Sequence, residues 1–217
     1  MNVQSHDHGH TDHGQHDMSG NVNTMAVSAT LHCLTGCAIG EIVGLMIGTA
    51  LGMSNVATIA IAVALAFLFG YALSTLPLLK AGLALGTALS VVLAADTLSI
   101  LTMEVVDNVV MAVIPGAMNA GLVNPIFWLG MIIALTAAFF AAYPVNRYLL
   151  QKGKGHALTH EYHGSGEATG ARRYIPSLST GALIAAIIAF MLGGLVVSIA
   201  DGLSAPDTDT GHAASRE

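Results

Sequence analysis

Five stretches of the chain stay apolar for about 20 residues or more, the length that crosses a bilayer core as a helix. The first runs from Val27 to Leu51. The second runs from Asn55 to Leu79, with Ser54 or Asn55 as its N-cap. The third begins near Ala81 and stays apolar as far as Pro115. The fourth opens at Asn124-Pro125, a cap followed by proline at the first helical position, and ends near Tyr148. The fifth opens at Pro176 and closes at Asp201-Gly202. Strands of this length would leave backbone groups unpaired in lipid, so the pattern predicts an all-α, polytopic membrane helix bundle with five transmembrane helices. The third stretch is long: a straight helix from Ala81 to Ile114 would measure roughly 50 Å. It either tilts and protrudes as one helix or breaks in two and raises the count to six. The absence of Gly and Pro from Leu89 to Ile114 favours the single helix.

Flanking this bundle, taken as residues 25–203, are a polar, His-rich leader of residues 1–24 expected to be disordered, a polar loop at 149–174 and a short polar tail at 204–217. The leader lacks the basic start and apolar run of a secretory signal, so none is expected to be cleaved. Lys and Arg set the orientation. Arg147, Lys152, Lys154, Arg172 and Arg173 follow the fourth span, and Lys80 lies between the second and third. Five crossings put all six at one end, which the positive-inside tendency assigns to the cytoplasm. The expectation is a multi-pass cell-membrane protein with a cytoplasmic N-terminus and an external C-terminus.

Composition agrees. Of 217 residues, 54% are hydrophobic and only 9% are charged, against roughly 25% charged in soluble domains. The lipid bilayer is therefore the first expected partner, and the net charge of −6 gives nucleic acid nothing to bind. No P-loop, Gly-x-Ser-x-Gly elbow, His-Glu-x-x-His or haem-attachment motif occurs, so enzymatic activity is not expected.

Candidate chemistry concentrates in the first and third spans. Cys33, Cys37 and Glu41 recur every four residues and line one helix face, with His32 beside them in sequence. Gly36, Gly40, Gly44, Gly48 and Gly52 form a neighbouring stripe on which another helix can pack closely. In the third span Asp96, Met103, Asp107 and Met111 share a face, with Glu104 at its edge. An ionisable side chain in mid-span is costly and marks function by default. Counting from the start of each span puts Glu41 and Asp96 at one depth, where they could share an ion or a proton.

Thiols, thioethers and carboxylates suit a soft or borderline metal ion. The expected ligand set is His32, Cys33, Cys37, Glu41, Asp96, Met103, Glu104 and Asp107, with copper ahead of zinc. The leader adds His6, His8, His10, His13 and His16, and the loop adds His156, His160 and His163, as accessory metal binders. The plainer alternatives are cysteine and methionine as core filler, carboxylates at the outer interface, and a solvated leader.

The stretch His-Cys-Leu-Thr-Gly-Cys-Ala-Ile-Gly-Glu at 32–41, Ala-Asp-Thr at 95–97 and Met-Glu-Val-Val-Asp-Asn at 103–108 resembles the prokaryotic membrane family catalogued as domain of unknown function 4396. Phe127-Trp128 and Ala142-Tyr143-Pro144-Val145-Asn146 fit it too, over an expected extent of Ala29 to Ile199. The resemblance implies a membrane protein and no particular activity. Three functions therefore stand open: a carrier, channel or sensor for a metal ion; a membrane thiol-redox protein using Cys33 and Cys37; and a non-catalytic subunit, or homo-oligomer, packed through the glycine stripe. For the redox reading, cysteines four apart on a helix lie about 6 Å apart, within disulfide reach.

Overall fold

A computed structural model describes residues 14–152, 174–176 and 178–204, with side chains from residue 22 onward. Among the described residues there are five long helices and no strand: α1 (Gly14–Ala50), α2 (Asn55–Lys80), α3 (Leu85–Val113), α4 (Pro125–Gln151) and α5 (Thr180–Ser204). All five are long and apolar enough to cross a membrane; in α1 the apolar part is Val22–Ala50. α3 is unbroken over 29 residues and so forms one span, and the count among the described residues is five.

The ends follow local chemistry. Gly52 (φ +61°) and Gly82 (φ +106°) take the left-handed conformation just past α1 and α2. At the first, Met53 N–H donates to Gly48 O (2.9 Å) and Gly52 N–H to Thr49 O (3.2 Å). At the second, Leu83 N–H donates to Leu78 O and Gly82 N–H to Leu79 O, both at 3.1 Å. Both pairs satisfy carbonyls that the helix end would orphan. The second turn uses up Ala81–Ala84, so α3 starts at Leu85 and not at Ala81. Ser54 caps α2 by accepting from Ala57 N–H (3.4 Å), and Asn124 caps α4 by accepting from Ile126 N–H (3.0 Å). The fifth span opens later than Pro176, because Ser179 accepts from Ala182 N–H (3.2 Å) and supplies the cap. α1 starts at Gly14, within the stretch expected to be a polar leader.

α1 is the most buried span, and α2 and α5 are the least. The glycine stripe is taken up inside the chain. Gly36 lies against Gly70, Gly40 against Ala66, Gly44 against Ala62 and Gly48 against Thr58, an antiparallel register with α2. Gly52 is not part of it, since a side chain there would meet open space; it serves as the cap. On another side α1 meets α4, whose Ala134, Ala138 and Ala142 are fully buried at four-residue spacing. α5 packs on α4 and α1, and Trp128 of α4 stacks edge-on with its Phe190 (centroids 5.6 Å apart) and fills the notch at Gly194. The indole N–H donates to Leu122 O at 2.7 Å.

Candidate functional site

One span separates α1 from α3, so the two run parallel and their polar faces meet rung by rung. Cys33 adjoins Asp96 and Ser99, and its sulfur lies 3.9 Å from the Ser74 hydroxyl of α2. One turn on, Cys37 adjoins Glu104. One turn further, Glu41 interacts with Asp107 and Glu104. All these side chains are buried, and both thiols are free. The α3 stripe of Asp96, Met103, Glu104, Asp107 and Met111 faces inward throughout.

Two expectations need correction. Asp96 does not sit at the depth of Glu41 but at that of Cys33, two turns away. The depth count started at Val27 and Ala81, whereas α1 begins well before the first of these and α3 begins four residues after the second. His32 does not join the acidic set either. It lies about 180° around an ideal helix from Glu41, on the line of the glycine stripe. Its Nδ1–H donates to the Ser28 carbonyl at 2.8 Å. Adjacency in sequence to Cys33 is not a shared face.

The acidic end is short of donors. Among the described residues no N–H or O–H donor reaches either carboxylate oxygen of Glu41, either of Glu104, or Oδ1 of Asp107, and the weak thiol donor of Cys37 lies beside Glu104. Asn108, the side-chain amide on α3, donates one of its two Nδ2 hydrogens to the Glu104 backbone carbonyl (2.9 Å). Glu41 and Asp107 are close enough to pair, but two carboxylates can hydrogen-bond only if one carries a proton. The three line the base of a cleft of about 480 Å³ whose walls include Thr49, Thr58 and Asn108. Its mouth lies at the α1–α2 and α3–α4 loops, where Asn55 Nδ2–H donates to Asn119 Oδ1 at 2.6 Å. No three His, Cys, Asp or Glu side chains among the described residues converge as a preformed metal centre.

Toward the other end of the bundle, Asn146 of α4 donates to Thr30 Oγ1 (2.8 Å), which in turn donates to the Ala26 carbonyl (2.7 Å). This buried pair, with Ser74 and Ser99, escaped the sequence reading; polar side chains inside apolar runs were the available signal. His6, His8, His10, His13, His156, His160 and His163 lie outside the described residues, as does the side chain of His16.

Fold and cleft define a multi-pass membrane helix bundle with an acidic, partly open interior. The family model described as domain of unknown function (DUF4396) matches residues 22–155, and the chain belongs to that family. The match runs from the apolar part of α1 through α4 and takes in the whole cleft, but stops before α5, short of the extent expected to reach Ile199. No curated protein and no solved structure matches the chain significantly.

Proposed function

We propose that this protein binds and moves, or senses, a soft or borderline metal cation in the cleft between α1 and α3, with copper ahead of zinc. The observation that carries the reading is the buried cluster of Glu41, Glu104 and Asp107, in which the thiol of Cys37 is the donor beside Glu104 and the Glu41 carboxylate faces Asp107. Facing carboxylates in a low-dielectric interior must hold either a proton or a cation. The thiol of Cys37 and the thioether of Met103, both buried in the same core, bias the choice toward a soft ion. The ligand sphere closes by rotation of the acidic side chains, for which the cleft leaves room, since no centre stands preformed. Asp96 and Cys33 form a second rung on the way through the bundle.

Lys80, Arg147 and Lys152, with Lys154, Arg172 and Arg173, mark the cytoplasmic end, so the cleft opens outward from the cell membrane. The histidine-rich leader and loop then collect metal on the cytoplasmic side. The test is equilibrium metal binding by the full chain with His6, His8, His10, His13 and His16 replaced by Asn. On that background Glu41→Gln and Cys37→Ser lose tight binding, and Met46→Leu, at an exposed position of α1, keeps it. A thiol-redox protein would instead bind no metal and tolerate Glu41→Gln.

A further inference from the structure

Four of the chain's ten methionines line the cleft above the carboxylates, and they come from four different elements. Met53 belongs to the α1–α2 loop, Met111 to α3, Met118 to the α3–α4 loop and Met131 to α4. A methionine stripe on one helix would be ordinary core packing. Here Met111 and Met131 belong to the buried core and Met118 packs against it, yet all four also line one open cleft from four different elements, which a single-helix stripe would not do. Glu41, Glu104 and Asp107 line the same cleft at its inner end, with the carboxylate oxygens of both glutamates buried.

We infer that the mouth of the cleft is a separate thioether site for a monovalent soft cation, Cu(I), which Met53, Met111, Met118 and Met131 capture before it reaches the carboxylates and Cys37. The inference rests on the metal-handling reading but assigns a different station and a narrower ion class. Thioethers bind Cu(I) well and Zn(II) poorly, and carry no charge. The mouth therefore filters by softness, while the carboxylates beneath supply the opposite charge. The Asn55–Asn119 hydrogen bond lies across the same mouth and ties together the two loops that carry Met53 and Met118.

The test uses the full-length protein labelled at the methionine methyl carbons, titrated with Ag(I) as a redox-inert stand-in for Cu(I) and separately with Zn(II), and read by methyl NMR. Ag(I) is expected to shift the methyls of Met53, Met111, Met118 and Met131, and Zn(II) to leave them in place. Met46, exposed on α1, serves as the internal control. Met111→Leu with Met131→Leu should abolish the Ag(I) shifts of Met53 and Met118, whereas Cys37→Ser should preserve them. Silent cleft methyls, with silver still bound in a Cys37-dependent way, would overturn the capture site and leave the deeper site standing. Cleft shifts without any Cys37- or Glu41-dependent binding would support the capture site and remove the deeper one. Shifts confined to methionines outside the cleft would overturn the inference.

Discussion

Replacing Gly40 with alanine should damage the bundle more than any other single methyl group added on α1. A Cβ at Gly40 would lie 2.6 Å from the Leu65 carbonyl carbon and closer still to the Ala66 backbone nitrogen and Cα, where ordinary contact begins at 3.4 Å. The obstacle is main chain, so no rotamer relieves it. α1 and α2 must part by about 1 Å, and a gap of that size forfeits a quarter to a half of each dispersion contact along the ladder. Overpacking of this kind costs about 3 kcal/mol at the upper end of its usual range. Alanine's better helix propensity returns about 1 kcal/mol, so the net loss is about 2 kcal/mol, a shift of roughly thirtyfold in the folded-to-unfolded ratio. Reversible unfolding by sodium dodecyl sulfate in mixed micelles, followed by circular dichroism, measures it. Gly193→Ala, where an added Cβ meets nothing, is the matched control and should be neutral or slightly stabilising. Gly48→Ala should fall between them, because the obstacle there is the Thr58 side chain, which can rotate. If Gly40→Ala unfolds with the wild-type midpoint, the close α1–α2 crossing is wrong.

Two further outcomes follow from other parts of the bundle. Asn146→Leu removes the bond to Thr30 but leaves Thr30 donating to Ala26, so in the same assay it should cost about 0.6 kcal/mol and at most about 1.7; a loss as large as that of Gly40→Ala would mean that the polar pair holds the bundle together. A reporter fused after Glu217 should be active only outside the cytoplasm, and cytoplasmic activity would reverse the orientation and turn the cleft inward.

Element identity was legible in the sequence because hydropathy alone decides it at this length, and the caps at Ser54 and Asn124 because their side chains act on their own neighbours. The start of α3 was not: Ala81 to Ala84 are as apolar as the helix that follows, and only Gly82 betrays the turn. That four-residue offset, with the early start of α1, is why Asp96 was expected beside Glu41 and instead lies beside Cys33. His32 misled through sequence adjacency, since one residue along a helix turns the side chain by about 100°. The shared face of α3 was legible, because a single helix carries its whole period, whereas its turning inward depends on packing. The cleft was out of reach: Met53, Met118 and Met131 sit on elements whose convergence depends on packing across four helices, and the Thr30–Asn146 pair depends on the same packing.

The central claim is that the carboxylates between α1 and α3 hold a cation and not merely a shared proton. Anomalous scattering at the copper edge, from crystals of the full-length protein grown with Cu(I), tests it most directly. The account predicts a peak between the two helices, within bonding distance of Glu41 or Glu104 and on the Cys37 side of the cleft. It is contradicted by peaks confined to the histidine-rich leader, with Glu41 and Asp107 joined by a short oxygen–oxygen hydrogen bond of about 2.5–2.7 Å.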